Sequence, residues 1–457
     1  MRHCIIGAGF SGLPVGKKLK ELGEEFDILD KNTGVGGLWH TGVYRDAHII
    51  SSRRTTEFPD YPMPADWPDF PNKAQMQSYL ESYATHCGLL PHIQLNTEVV
   101  RVRPAADYHS SRAWDVILKS GETRRYRTVT IANGHNWCPN LVTHPGTFSG
   151  EILQSDAYQE PEQLTGKRVL VVGYGNTGCD IAVEAARRGI SSDISMRSGN
   201  YFFPKMFMGI PTADLLYRLP VSFHWLDKLV ARIILAFAVG DLSRYGAPRP
   251  DYRILEKHPI VNTELLHAIR HGRIRIRPDI DRLQDRQVRF RDGSTGNYDL
   301  IVYCTGYRLA FPMLHPEDEL LEYRGDLPML YGQVMAPRYR GLLFTGIGQA
   351  RTGGGPIFQQ LGYLVARIAA FEGRDPAGLM AVTEKQPLLR LWKKIFRNFT
   401  FERPASLRSM GIGEVRRTLG LAKRSLDYLG LPDAPSQSLP RPAEAIGSGT
   451  PAGEIPA

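Results

Sequence analysis

The sequence predicts an α/β fold with two Rossmann-like dinucleotide-binding domains, the first interrupted by the second, with β-meander insertions and a helical C-terminal segment. Two turns carry this prediction: Gly7–Gly12 and Gly173–Gly178 each have GxGxxG spacing between an apolar run and a segment of helical periodicity. Between them, segments 97–102, 113–118 and 126–132 are rich in Val, Ile, Thr and Trp, which is typical of a small meander.

The composition favours a large folded protein in a reducing compartment. Of 457 residues, 42% are hydrophobic and 23% are charged, which argues against a disordered or collagen-like chain. The five cysteines form no CxxC pair, which argues against a disulfide scaffold, a zinc ribbon and a dithiol redox motif. No ligand spacing points to a metal. There is no apolar run of about 18 residues and no signal-peptide pattern, so we expect a cytoplasmic protein.

The net charge of +9 is concentrated near the C-terminus. Residues 390–424 contain ten Lys and Arg against two Asp and Glu, and the rest of the chain is close to neutral. A general nucleic-acid-binding protein spreads its basic face over the fold, so we expect no nucleic-acid partner. Residues 388–399 have the spacing of a basic amphipathic helix, which either packs on the first domain or contacts a membrane surface or a partner. The sequence does not indicate an oligomeric state.

The first glycine turn belongs to a complete βαβ opening. Gly7 permits the tight turn, Gly9 lets the backbone approach a pyrophosphate, and Gly12 lets the helix pack closely on the strand. The helix N-terminus directs partial positive charge at the phosphates. Asp30 ends the second strand, where a carboxylate accepts hydrogen bonds from two ribose hydroxyls. Strand, turn, helix and acid together predict a dinucleotide site.

The second turn differs in the residue that follows its second strand, which is Arg197 and not an acid. An acid there repels the 2′-phosphate of NADP, whereas a guanidinium binds it, so we expect this site to prefer NADPH. The expected NADPH contacts in the turn are Gly173, Gly175, Asn176, Thr177 and Gly178. Two nucleotide sites in one chain imply hydride transfer from the pyridine nucleotide to a bound flavin, FAD.

The layout resembles the flavin-containing monooxygenases and their Baeyer–Villiger relatives over residues 3–375. Besides the two turns, the matching stretches are Gly36–Trp39, Phe58–Pro62, Phe148–Gly150 with Tyr158, and Asp299–Tyr307. The resemblance implies an NADPH-dependent flavin monooxygenase. In such an enzyme NADPH reduces FAD, oxygen adds to give a peroxyflavin, and one oxygen atom is inserted into a small organic substrate by N-, S- or carbonyl oxygenation.

The resemblance also implies residues around the flavin. Trp39 is expected to wall the flavin, and Gly355 to precede a helix whose N-terminus points at the flavin pyrimidine. The candidate catalytic residues are Ser51 and Ser52, chosen as the hydroxyl donors next to Ile50, and Asn262, expected near the nicotinamide channel. The implied cofactor contacts outside the two glycine turns are Gly37, Leu38, Trp39, Thr305, Gly306 and Gly355.

Two residues depart from the family pattern. Gln154 stands at the His position of the family fingerprint and cannot titrate near neutral pH. Ile50 stands where N- and S-oxygenating members carry an Asn, and it cannot hydrogen-bond flavin or nicotinamide. Two alternatives therefore stay open: a Baeyer–Villiger monooxygenase on ketones, although the Gly150–Tyr158 stretch lacks that group's terminal Trp-Pro, and an NADPH oxidase or flavoprotein reductase without productive oxygenation.

These motifs suggest the domain boundaries. Residues 1–160 and 300–385 are expected to form a discontinuous FAD domain, and residues 161–299 the NADPH domain. Residues 386–430 would form the basic helical segment. Pro, Ser, Gly and Ala dominate residues 431–457, which predicts a disordered tail.

Overall fold

A computed structural model of the chain describes residues 1–218, 224–256, 259–330, 334–336, 338–347 and 354–374. The predicted basic helix at 388–399, the segment 386–430 around it and the tail 431–457 lie outside the described residues. The helices are α1 Gly12–Glu21, α2 Arg53–Thr56, α3 Lys73–His86, α4 Tyr108–Ser111, α5 Asn176–Arg188, α6 Thr212–Arg218, α7 His224–Ala238, α8 Glu264–Arg270 and α9 Gly355–Arg374.

A parallel sheet of five strands forms the first half of the molecule. Its strands lie in the order Leu342–Phe344, Thr128–Ile131, His3–Ile6, Phe26–Leu29 and Ile93–Gln94. Ile5 and Ile28 pack into the core that contains α1, α3 and α9. Cys4 and Ile6 face the opposite core, which contains the meander Val99–Pro104, Trp114–Leu118 and Thr123–Tyr126. A parallel sheet covered on both faces explains why these strands are apolar throughout.

A second parallel sheet repeats this arrangement. Its five strands lie in the order Glu151–Gln154, Leu300–Tyr303, Arg168–Val172, Ser191–Ser195 and Ile274–Arg277. Val169 and Val171 pack into the core that contains α5 and α8. Leu170 and Val172 pack on a small mixed sheet formed by Gly146–Phe148, Ile280–Asp285, Gln287–Phe290 and Thr295–Asn297.

The second sheet extends beyond the residues that the sequence patterns assign to the NADPH domain. The strands Glu151–Gln154 and Leu300–Tyr303 both belong to it, although both fall in the ranges expected for the FAD domain. Parallel strands pair across long stretches of sequence, which local patterns do not encode. We call residues 1–145 and 305–374 the first unit and residues 146–304 the second unit.

Helices α1 and α9 pack side by side on the first sheet. A Cβ atom at Gly362 would lie 2.8 Å from the Cβ of Pro14, so the missing side chain permits this close approach. Each helix follows a strand of the sheet, which places both N-termini near its carboxyl edge, where nucleotide ligands bind in open α/β folds.

Residues 196–273 connect two neighbouring strands of the second sheet and carry α6, α7 and α8. In α7, Ala231 and Ile234 are buried, whereas Ile233 and Phe237 are exposed. No helix within the described ranges has both the length and the apolar character needed to cross a bilayer.

Candidate functional site

The first glycine turn is shaped by two close backbone contacts. Gly7 has φ +116°, and a Cβ there would lie 2.5 Å from the carbonyl oxygen of Ala132. A Cβ on Gly12 would overlap the carbonyl oxygen of Gly7. Glycine is therefore required for the turn to run tightly from the strand His3–Ile6 into α1.

Gly9 and Gly37 lie against each other at the mouth of this turn. A Cβ on Gly9 would be 3.4 Å from the Cα of Gly37, and Gly37 itself has φ +56°. Leu38 and Trp39 begin the single π-helical turn Leu38–Gly42, and Trp39 packs at the border of the first core. The two glycines leave a cradle bounded by main chain, which suits the close approach of a pyrophosphate.

Asp30 lies beneath the first turn and is 6% exposed. Its Oδ2 accepts a hydrogen bond from the Ala8 amide at 2.7 Å, and its Oδ1 accepts one from the Asn32 amide at 2.8 Å. A carboxylate has about four lone-pair positions, so these bonds fix its orientation and leave acceptor capacity for ribose hydroxyls.

Three buried polar atoms near the carboxyl edge of the first sheet lack a hydrogen-bond partner within the described residues: Asn133 Oδ1, Trp137 Nε1 and Thr345 Oγ1. Asn133 follows the strand Thr128–Ile131, and Thr345 follows Leu342–Phe344. An unpaired buried polar atom is costly, so such a group commonly indicates a ligand. The polar edge beside a main-chain cradle fits FAD.

The second turn repeats the backbone of the first but is more open. Gly173 has φ +101° and lies against the carbonyl of Cys304, and Gly178 lies against the carbonyl of Gly173. A Cβ added at Gly175 would meet no atom of the described part of the chain within 4 Å. The turn leads directly into α5, whose first amides are available to phosphate oxygens.

Asn176 and Thr177 are the first two residues of α5. The Asn176 side-chain oxygen accepts a hydrogen bond from the Val261 amide at 2.8 Å, which joins the helix start to the strand Ile260–Val261. Thr177 is half-buried.

Arg197 is exposed just beyond the strand Ser191–Ser195. Burial raises the pKa of Tyr174, and the nearby Arg197 charge acts in the opposite direction. The Tyr174 hydroxyl lies 2.8 Å from Ser198 Oγ. A guanidinium, a phenol and a hydroxyl thus lie beside the open turn, a donor set that fits the 2′-phosphate of NADPH.

The candidate catalytic side chains are all engaged by protein groups. Ser51 Oγ lies 2.7 Å from Thr56 Oγ1. Ser52 Oγ accepts a hydrogen bond from the Thr55 amide at 3.2 Å, so it caps α2, and it donates to Asp214. Neither hydroxyl is free in this arrangement. The catalytic roles of Ser51 and Ser52 stay predictions.

Both polar atoms of the Asn262 side chain are also hydrogen-bonded. Its amide nitrogen donates to Asp180 Oδ1 at 2.7 Å, and its oxygen accepts from the Leu265 amide at 3.0 Å. These two bonds join α5 to α8, and the side chain is only 2% exposed in this arrangement. Its contact with the nicotinamide likewise stays a prediction.

The remaining expected positions lie around the junction of the two units. Thr305 Oγ1 donates to the Asn140 carbonyl at 2.6 Å, and Gly306 accepts from the Asn140 amide at 2.9 Å. A Cβ added at Gly355 would overlap the carbonyl oxygens of Thr56 and Glu57. Glycine therefore allows α9 to begin directly against the end of α2 in the first unit. Gln154 Oε1 is buried without a partner in the described part of the chain.

Among the residues that join the units, sequence reasoning missed Tyr44, Asp180 and Asp214. Tyr44 donates to Asp180 Oδ2 at 2.8 Å, and Asp214 accepts from Ser52. No local signal distinguishes Tyr44, Asp180 or Asp214, because each acquires its partner only through the tertiary fold. Within the described residues, no cluster of His, Cys, Asp and Glu could hold a metal ion.

Two Rossmann-type units with different turn chemistry define a flavoprotein oxidoreductase that uses two nucleotides. The chain belongs to the flavin-binding monooxygenase-like family, whose model matches residues 1–370. FAD and NADPH are the cofactors of this family.

Curated relatives agree with this assignment. Dimethylaniline monooxygenase (N-oxide-forming) 2 of Oryctolagus cuniculus is 28% identical over 412 residues, which cover 84% of this chain and 75% of the relative. Flavin-containing monooxygenase 3 of Homo sapiens is 30% identical, with 78% and 70% of the two chains covered.

Solved structures share the fold at lower identity. The flavin-containing monooxygenase from Stenotrophomonas maltophilia matches with a TM-score of 0.62 at 21% identity, covering 81% of this chain and 98% of that one. Cyclohexanone monooxygenase from Rhodococcus sp. Phi1, bound to NADP+, matches with a TM-score of 0.66 at 18% identity, covering 93% and 98%.

Proposed function

We propose that this protein is an FAD- and NADPH-dependent monooxygenase that transfers one oxygen atom from O2 to a small organic substrate by N-, S- or carbonyl oxygenation. The proposal rests mainly on one observation: two glycine turns with matching backbones have side chains of opposite charge beside them. The first has a buried acid and, among the described residues, buried polar atoms without a partner beside it, whereas the second has an exposed guanidinium.

In the first unit, Gly7, Gly9 and Gly12 would bind the FAD pyrophosphate, and Asp30 the adenosine ribose. Asn133, Trp137 and Thr345 would supply the remaining polar contacts. The flavin, when bound, supplies the redox and oxygen chemistry.

Aromatic side chains close the first turn against water. The Phe10 ring lies 4.7 Å from that of Phe58 and 5.7 Å from that of Phe358. Phe58 is fully buried. These rings would exclude water from one side of the flavin site. Excluding water limits side reactions, such as the hydrolysis of reactive intermediates.

In the second unit, Gly173, Gly175 and Gly178 with the N-terminus of α5 would bind the NADPH pyrophosphate. Arg197, with Ser198 beside it, would bind the 2′-phosphate. This donor set discriminates NADPH from NADH through a charge-assisted contact that NADH lacks.

One further observation favours a second candidate function, NADPH oxidation that releases peroxide. Ile50 is half-buried beside Ser51 and has no hydrogen-bonding group. If oxygenation requires an amide at this position to exclude water from the flavin site, NADPH and O2 would be consumed to give NADP+ and peroxide without an oxygenated product.

The test is NADPH-dependent oxygen uptake by the FAD-loaded protein with a tertiary amine, a thioether and a cyclic ketone. Our proposal predicts that at least one compound is oxygenated in proportion to NADPH consumed. Stoichiometric peroxide with all three would replace monooxygenation by NADPH oxidation.

A further inference from the structure

A loop of the first unit bridges the two units. We call residues 44–52 the bridging segment; it runs from just after the π-helical turn to the start of α2. Part of its backbone is held by the first unit: the Ile49 amide donates to the Pro71 carbonyl at 3.0 Å, and the Lys73 amide donates to the Ala47 carbonyl at 2.8 Å. The Arg45 amide instead donates to the Gln159 carbonyl of the second unit at 2.9 Å.

Four side chains of the same segment reach the second unit. Arg45 pairs with Glu160 at 2.6 Å and with Glu162 at 3.2 Å at the surface. The Tyr44 hydroxyl donates to Asp180 Oδ2 at 2.8 Å. His48 Nε2 contacts the Lys205 ammonium, and Ser52 Oγ donates to Asp214 Oδ1. The second-unit groups that these contacts reach are the Gln159 carbonyl and the side chains of Glu160, Glu162, Asp180, Lys205 and Asp214. One segment thus joins the two units: main-chain bonds at Ala47 and Ile49 hold it to the first, and the Arg45 amide together with four side chains holds it to the second.

Asp180 is the contact closest to the pyridine nucleotide turn. It lies in the second turn of α5, which begins immediately after Gly175. Its other oxygen, Oδ1, accepts from Asn262, whose own oxygen is fixed by the Leu265 amide. These bonds therefore fix the orientation of the Asp180 carboxylate. Because Asp180 belongs to the helix that begins at the second glycine turn, a shift of that turn would move the carboxylate with it.

The Tyr44 phenol is a stable donor to this carboxylate. Burial and the neighbouring Asp180 charge both raise the pKa of Tyr44 well above its ordinary value. The hydroxyl hence keeps its proton across the physiological range and remains a hydrogen-bond donor.

We propose that Tyr44 and Asp180 are positioning residues that set the second unit's nucleotide turn against the flavin side of the first unit. This inference rests on the proposed function, in which a hydride leaves NADPH, giving NADP+, and reduces FAD. Hydride transfer is sensitive to displacements of about 1 Å, so loosening this contact should slow the transfer without weakening either cofactor's own binding site.

The test is anaerobic mixing of FAD-loaded Tyr44→Phe with NADPH, followed by the loss of flavin absorbance. The expected result is a saturating reduction rate lowered about tenfold, with FAD content and NADPH affinity close to those of the parent. Reduction by dithionite should be unchanged, because it does not use the second unit.

Two matched variants control for the loss of a tyrosine–aspartate bond. Tyr298 donates to Asp193 at 2.7 Å entirely within the second unit, and Tyr126 donates to Asp27 at 3.0 Å entirely within the first. Tyr298→Phe and Tyr126→Phe should lower stability but leave the reduction rate unchanged. A Tyr44→Phe rate equal to that of these controls would overturn the proposal.

Asp180→Asn provides a second variant. An amide at this position can accept from Tyr44 or from Asn262 through its one oxygen, and its NH2 group then faces the other donor. We expect slower flavin reduction, as for Tyr44→Phe; a parental rate would count against the proposal.

Hydrogen exchange gives a readout that does not depend on turnover. In the NADP+-bound protein, Tyr44→Phe should speed exchange in residues 45–49 and in the first turns of α5, whereas Tyr298→Phe should not. If NADPH fails to reduce even the parent protein, the proposed function fails, and this exchange comparison alone decides the positioning role. Unchanged exchange would then refute it.

Discussion

The two nucleotide-binding units share a backbone but differ in what surrounds it. Gly7 and Gly173 have nearly the same φ, and each lies against the carbonyl of a residue that follows a neighbouring strand. Gly9, however, is covered by Gly37, whereas Gly175 is open. The glycine turn thus specifies binding of a dinucleotide. The residues around the turn decide which dinucleotide binds and whether that dinucleotide is enclosed.

This difference predicts unequal effects at matching glycines, and the largest effect is at the enclosed site. Gly9→Val should prevent FAD binding, because the new side chain fills the space between Gly9 and the Gly37 backbone. Gly175→Ala should keep the full FAD content. Flavin absorbance after reconstitution with excess FAD measures both. Equal flavin content in the two variants would contradict the assignment of FAD to the first unit.

The next effect concerns the charge beyond the second strand. Arg197→Ala should lower NADPH affinity by about 2 kcal/mol, the size of a lost charge-assisted contact, and leave NADH affinity nearly unchanged. Arg187→Ala is a control, since Arg187 is an exposed residue of the same unit paired with Glu264. Titration of each coenzyme checks this, and equal losses for NADPH and NADH would assign Arg197 another role.

A third prediction compares how each unit is stabilised. Asp60 joins α1 to α9 by accepting from Lys17, Tyr363 and Gln359. Burial alone would raise its pKa, but these hydrogen bonds outweigh burial and lower it. A lowered folded-state pKa means that the contribution is complete above the unfolded-state pKa, about 4, and is lost as the pH falls through the lower folded-state value.

Asp60→Asn should therefore lower the free energy of unfolding by roughly 1.5 kcal/mol at pH 7, discounted for partial exposure, with a smaller difference at pH 3. Asp281→Asn, which removes an exposed pair with Arg289 in the second unit, should cost less. Denaturant unfolding at both pH values checks this. A pH-independent difference would mean that the Asp60 charge is not the source.

The smallest effect is expected at Ile50. Ile50→Asn introduces the amide that the family resemblance leads us to expect at this position, and it should lower peroxide released per NADPH by about twofold through better shielding of the flavin. Ile50→Leu should behave like the parent. Peroxide and product are measured in the same reaction, and higher peroxide in the Asn variant would show that an aliphatic residue suits this position.

The sequence predicts the two glycine turns well because strand, turn and helix are adjacent in the chain. It does not predict that Glu151–Gln154 and Leu300–Tyr303 belong to the second sheet, since parallel pairing joins distant segments. For the same reason it does not reveal the Tyr44 contact with Asp180. Ser52 illustrates the limit at the site itself: its place in the chain, two residues after Ile50, made it a candidate, but its bonds to the Thr55 amide and to Asp214 are visible only in the fold, and its catalytic role stays a prediction.

The central claim is that the first unit binds FAD and the second delivers hydride from NADPH. Its most direct test is the absorbance spectrum of the purified, FAD-reconstituted protein before and after anaerobic addition of NADPH or NADH. We predict a flavin spectrum that NADPH bleaches much faster than NADH, and that returns when oxygen is admitted. A protein that stays free of flavin in excess FAD, or whose flavin neither coenzyme reduces, would contradict the claim.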